Sequence, residues 1–150
     1  MQELNIAGLK IKRLKQIIDK RGAVFHFIKK DDKEFFDFGE VYFSKINYNI
    51  IKGWKCHNRI IQNICVPYGH VKFVIYDNRV NSSTHGNIVE IELNSENNFQ
   101  LLTLPSFVWY SFRGLSKEYS LICNLISETH DANESNTLPL ENTIIPYIWQ

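Results

Sequence analysis

The sequence predicts an all-β jelly roll, two antiparallel sheets packed face to face. Three observations carry this. Short apolar runs with period-two alternation recur at fairly even spacing, turn residues separate them, and helix signals are scarce. Aromatic residues make up 13% of the 150 residues and suit pleated, half-buried surfaces.

The elements follow in order. Leu9, Ile11 and Leu14 alternate with Lys10, Lys12, Arg13 and Lys15, which reads as a strand with one solvated face. Val24 to Ile28 reads as a strand ended by Lys29 to Asp32, and Asp31 to Asp37 as a short helical turn. From Glu40 to Ile46, Val41 and Phe43 alternate with Tyr42 and Ser44. Arg59 to Val66 runs into Pro67-Tyr68-Gly69, a tight-turn signal, and Val71, Phe73 and Ile75 then share one face of the returning strand. Further strands are expected at Ile88 to Leu93, Phe99 to Leu104, Val108 to Phe112 and Tyr119 to Ile126. The tail, His130 to Gln150, carries Pro139 and Pro146 and is expected to cross the outside as loop and short helix. The length fits one domain, residues 1–150.

Composition narrows the function classes. The chain is 44% hydrophobic and 22% charged, with a net charge of +1, so bulk electrostatics favour neither nucleic acid nor an anionic membrane as partner. No stretch approaches the roughly 18 apolar residues of a membrane span. The N-terminus lacks a charged-then-apolar leader pattern. Cys56, Cys65 and Cys123 are odd in number and include no CxxC, which suits reduced thiols and a cytoplasmic location.

Chemistry is concentrated at Lys52-Gly53-Trp54-Lys55-Cys56-His57, followed by Gln62-Asn63. His57 is the leading candidate for proton transfer, because histidine alone titrates near neutral pH unaided. A histidine at a strand end can equally pack and hydrogen-bond as a structural residue. Arg21, beside the turn glycine Gly22, can hold a phosphate through its planar fork or form an ordinary exposed turn. His26 suits a site, a core or an interface. Trp109, Tyr110 and Phe112 can stack on a base or a sugar or fill the core, and alternation sends at least one of them to the core. Asn124 sits in an apolar strand and needs polar partners if buried. Metal-binding cupins use a His-x-His pair, but the pair position here reads Lys55-Cys56-His57, and Trp109 and Tyr110 stand where a later histidine would be. No metal is therefore expected.

Together these residues resemble the dTDP-4-dehydrorhamnose 3,5-epimerase family, whose fold is the cupin-type double-stranded β-helix. The anchors begin with Asp19-x-Arg21-Gly22, Phe38 to Ser44 and Ile51-Lys52-Gly53-Trp54-x-x-His57. They continue through Gln62-Asn63-x-x-Val66-Pro67-x-Gly69 and Lys72 to Arg79. They end with Leu104-Pro105, Val108-Trp109, Phe112-Arg113-Gly114, His130-Asp131-x-Asn133-Glu134 and Ile145-Pro146-Tyr147-x-Trp149. The resemblance implies a homodimer without cofactor or metal, acting on a nucleotide-linked 4-keto-6-deoxy sugar. It implies His57 as the base, with Tyr110 or Tyr119 as a substitute acid. It also implies Arg21, His26, Lys52, Trp54, Gln62, Trp109 and Asn124 around the substrate, with Arg21 able to reach a partner subunit. Four features depart from the family pattern. Gln62 stands where the family has a lysine, Asn124 stands near the family's tyrosine, Tyr110 replaces a family histidine, and the aspartate that orients the histidine is expected in a C-terminal extension beyond Gln150. Single-position epimerisation, ketoisomerisation and catalytically silent nucleotide-sugar binding all remain open at this point.

Overall fold

The computed structural model describes residues 1–150. Thirteen strands follow one another: β1 (Gln2–Glu3), β2 (Lys10–Arg13), β3 (Gln16–Asp19), β4 (Gly22–Phe25), β5 (Glu40–Asn47), β6 (Ile51–His57), β7 (Gln62–Tyr68), β8 (His70–Tyr76), β9 (Ile88–Asn94), β10 (Gln100–Leu104), β11 (Trp109–Gly114), β12 (Tyr119–Ile126) and β13 (Ser135–Thr137). One sheet has six strands in the order β1-β2-β10-β7-β12-β5, the other five in the order β13-β6-β11-β8-β9, and β3-β4 forms a separate hairpin. All the pairings are antiparallel. This is the jelly roll that the alternation predicts, of the cupin type that the resemblance implies.

The inner faces meet in one core. Ile11, Ile64, Leu102, Leu104 and Ile122 come from the six-stranded sheet; Val71, Phe73, Ile75 and Leu93 come from the five-stranded sheet. Phe73 is fully buried, and burying such a side chain stabilises the fold by roughly 1.5–3 kcal/mol. Both outer faces are also covered. Phe27 and Ile28 lie over Leu14, Cys65, Phe99, Leu101 and Cys123 on the six-stranded sheet. On the other side Tyr147 and Trp149 lie over Trp54, Val74, Tyr76 and Ile145, and the Trp149 indole N–H donates to Ser111 Oγ at 3.0 Å.

Two local expectations are corrected. Asp31 to Asp37 forms turns rather than helix. The Asp32 N–H bonds the Lys29 carbonyl, the Phe35 N–H bonds the Asp32 carbonyl, and the Asp32 carboxylate takes the Lys29 N–H. An aspartate that satisfies neighbouring backbone competes with helix propagation. The tail contains no helix either; it contributes β13, which pairs with β6 through Ser135↔His57 and Thr137↔Lys55. No helix of the structure is long and apolar enough to cross a membrane.

Candidate active site

Register decides which side chains of β6 face inward. Tyr110 of β11 lies opposite Lys55, and Ser111 lies opposite Gly53, so Trp54 is the extra residue of a β-bulge. Gly53 and Trp54 both turn outward, and Lys52, Lys55 and His57 share the inner face. Without the bulge, the three-residue spacing would put Lys52 and Lys55 on opposite faces. Gly53 has φ of +121°, and a Cβ there would come within 2.6 Å of the Ser111 side chain.

The inner face opens onto a cavity of about 520 Å³ between the two sheets, a size suited to a small-molecule site. Glu40, Tyr42 and Ser44 of β5 and Asn124 of β12 line one wall. Lys52 and Lys55 of β6 and Tyr110 and Phe112 of β11 line the other, while His130, Thr137 and Leu138 close one side. His57 is 4% exposed and sits directly behind this lining. It shares the face of Lys55, and its ring lies parallel to that of Tyr110, centroids 6.3 Å apart.

The His57 imidazole is held from one side only. Its Nδ1 lies 2.6 Å from Glu134 Oε2, while Nε2 is buried without a hydrogen-bond partner. The other Glu134 oxygen accepts the backbone N–H groups of Arg59 at 2.7 Å and Ile60 at 3.0 Å. Burial opposes ionisation of Glu134. The Arg59 N–H, the His57 ring and the Ile60 N–H outweigh it and hold the carboxyl down to about 2. Burial is also the largest influence on His57 and pushes its pKa below the ordinary 6.5, with Glu134 opposing and Lys55 and His130 adding to the depression. A carboxylate at Nδ1 selects the Nδ1–H tautomer, which leaves a lone pair on Nε2. The arrangement holds a neutral, oriented imidazole whose Nε2 is able to accept a proton.

Beside this imidazole lies a network of amides and phenols. The Tyr110 hydroxyl donates to Gln62 Oε1 at 3.2 Å, and Asn124 Nδ2 donates to the same oxygen at 2.8 Å. Asn124 Nδ2 also donates to the Tyr42 oxygen at 2.9 Å. Complete burial pushes the Tyr110 phenol far above its ordinary range, so it stays protonated.

Of the expected residues, Lys52, Trp54, Tyr110 and Asn124 line the cavity and His57 and Gln62 are buried behind it, while Trp109, Arg21 and His26 lie elsewhere. The Trp54 indole is fully buried under the C-terminal tail, edge-on to Tyr147, because the bulge turns it outward. Trp109 packs in the same outer cluster, since alternation along β11 gives the inner face to Tyr110 and Phe112. Arg21 and His26 are exposed, with Arg21 at the tip of the β3-β4 hairpin and paired there with Asp19 at 2.7 Å. Within this chain neither faces the cavity. The orienting carboxylate expected only beyond Gln150 is present as Glu134. Sequence reasoning passed over Glu134, Tyr42 and Lys55. The only signal for Glu134 was its place in the His130 to Glu134 stretch, and Tyr42 and Lys55 became visible only once the inner faces were known. No group of three or more His, Cys, Asp or Glu side chains converges as a metal site would require.

A family model described as dTDP-4-dehydrorhamnose 3,5-epimerase matches residues 3–149. The spore coat polysaccharide biosynthesis protein SpsL of Bacillus subtilis (strain 168) is 27% identical over 146 residues, covering 96% of each chain. The probable low-salt glycan biosynthesis epimerase Agl13 of Haloferax volcanii is 27% identical over 130 residues, covering 85% of this chain and 82% of its own. The crystal structure of a dTDP sugar isomerase from Desulfovibrio desulfuricans G20 superposes with a TM-score of 0.97 at 33% identity, covering 99% of this chain and 95% of that one.

Proposed function

Since this chain belongs to the dTDP-4-dehydrorhamnose 3,5-epimerase family, we propose that it is an epimerase or isomerase of a nucleotide-linked 4-keto-6-deoxy sugar in surface polysaccharide or deoxysugar biosynthesis. One observation carries the reading: His57 is anchored at Nδ1 by a buried carboxylate, and its Nε2 is left buried without a partner, on the same strand face as the cavity-lining Lys55. A C–H bond next to a ketone is acidified because the carbanion is delocalised onto oxygen. Nε2 takes the proton, the C–H electron pair forms the enolate C=C bond, and the carbonyl π pair moves to oxygen. Lys55, a cation lining the cavity beside His57, is placed to stabilise that oxyanion. Return of a proton to the opposite face of the carbon inverts it.

The sugar fills the cavity and the nucleotide lies towards its rim, near Lys52. The working unit is a homodimer, supported by the apolar exposure of the β3-β4 hairpin. Ile18 is 70% and Val24 57% exposed. In that assembly Arg21 reaches a partner's cavity and holds a phosphate. We place the protein in the cytoplasm, in keeping with its three free thiols.

The test is proton NMR in heavy water with a panel of nucleotide-4-keto sugars. Deuterium should enter next to the keto group with the wild type and not with His57→Ala. Absence of exchange with every such sugar, or equal exchange by His57→Ala, would refute the reading. The buried amide pair Gln62–Asn124 favours a second reading, a silent nucleotide-sugar binder. That alternative predicts thermal stabilisation by a nucleoside diphosphate with no exchange at all.

A further inference from the structure

Inverting a carbon takes two proton transfers on opposite faces of the sugar, so a second group must stand across the cavity from His57. Tyr110 does not meet this requirement. Its strand, β11, is the immediate neighbour of β6 in the same sheet, its ring lies parallel to the imidazole, and its hydroxyl proton is given to Gln62 Oε1. Tyr42 does meet it. It lies on β5 at the edge of the six-stranded sheet, while His57 lies on β6 of the five-stranded sheet, and Tyr42 lines the wall facing Lys55. Packed sheets stand roughly 10 Å apart, which leaves room for one pyranose ring between the two groups.

The hydrogen-bond directions point the same way. The Tyr42 oxygen accepts from Asn124 Nδ2, and no protein acceptor takes the phenol's own proton. That proton is therefore free to be donated into the cavity, whereas the Tyr110 proton is already committed. The Asn124 N–H also remains in place after proton loss, when it bonds the phenolate. Asn124 is held for this by its second bond, to Gln62. Burial raises the Tyr42 pKa and the Asn124 bond partly offsets this, so the phenol is protonated at neutral pH and the Asn124 bond recovers part of what burial costs its conjugate base.

We propose that Tyr42 is the general acid that protonates the enolate on the face opposite His57, with Asn124 as its positioning residue. This rests on the epimerase reading above. The Tyr42 O–H bond breaks as the new C–H bond forms, the enolate electrons return to that carbon, and solvent then takes the proton from His57 Nε2 and reprotonates the phenolate.

The experiment uses Tyr42→Phe, which removes a single oxygen, beside Tyr110→Phe, His57→Ala and wild type, all in heavy water with the sugar that wild type turns over. Tyr42→Phe should lose inversion by about 100-fold or more while exchanging deuterium at the same carbon within about fivefold of wild type, because His57 removes and returns hydrons on its own face. Tyr110→Phe should keep the wild-type ratio of inversion to exchange whatever its effect on the overall rate, and His57→Ala should lose both. Inversion within threefold of wild type in Tyr42→Phe would overturn the assignment and leave the epimerase reading intact, as would loss of inversion with retained exchange in Tyr110→Phe. Loss of both exchange and inversion in Tyr42→Phe would overturn it too, because that pattern belongs to a binding residue. Failure of wild type itself to exchange would remove the epimerase reading, and this inference with it.

Discussion

Replacing Glu134 by glutamine tests whether the carboxylate sets the tautomer of the base. Glu134 Oε1 accepts two backbone N–H groups, and Oε2 accepts the His57 ring N–H at 2.6 Å. In Glu134→Gln the amide oxygen must stay with the two backbone donors, so the NH₂ group faces Nδ1. Nδ1 then has to accept, its proton moves to Nε2, and the lone pair needed for catalysis is lost. An amide in place of an orienting carboxylate costs on the order of 10²–10⁴ in rate in comparable sites, which corresponds to about 2.7–5.5 kcal/mol. Stability should change much less. Charge-assisted bonds become neutral ones at a cost of about 1–2 kcal/mol, or a fall in Tm of about 2–8 °C for a chain of this size. Exchange rates by NMR and thermal unfolding by circular dichroism give the two readouts. Exchange by Glu134→Gln within threefold of wild type would show that the carboxylate does not control the base.

Four further outcomes are expected. A His57 base must be neutral to accept a proton, and burial depresses its pKa, so kcat/KM should rise with pH to a plateau with its inflection below 6.5; an inflection above about 7 would contradict the buried, neutral base. The same depression means that the unfolded chain binds more protons than the folded chain just below 6.5, so stability should decline as pH falls through that value, as followed by urea midpoints. Glu134 adds a second loss as pH falls from 4.5 towards 2. Gly69 has φ of +84°, and a Cβ there would lie 2.5 Å from Ser120 Oγ. Gly69→Ala should therefore lower Tm by roughly 4–8 °C, for a strain of about 2 kcal/mol, with exchange per folded molecule unchanged. Ile18→Asp places a charge on the exposed hairpin. It should shift the protein from dimer to monomer in sedimentation, and a wild-type monomer at working concentration would refute the dimer.

The strands of the two sheets were legible from local alternation. Val71, Phe73 and Ile75 share one face of β8 because a period of two is a property of the strand itself. The turn at Gly69 was legible for a similar reason. The misread segments lack such a period. Asp31 to Asp37 is short, and its carboxylates compete for backbone; the stretch around Glu134 reaches its place by pairing with β6.

In β5 the alternation was visible, but its sense was not. Val41 and Phe43 face outward, 40% and 65% exposed, and Tyr42 and Ser44 face the cavity. At that end of the barrel the interior is a polar cavity rather than core, so hydrophobicity no longer marks the inside. The bulge at Trp54 is equally hidden, because it exists only in the register between β6 and β11.

The sequence by itself determined the jelly roll and the histidine, because alternation and the chemistry of imidazole are properties of neighbouring residues. Only the tertiary structure decided what that histidine meets. The contact between His57 and Glu134 spans 77 residues, and the contact between Tyr42 and Asn124 spans 82. Such pairings are set by strand register and sheet packing, which place distant residues within 3 Å of each other and leave no periodic trace along the chain.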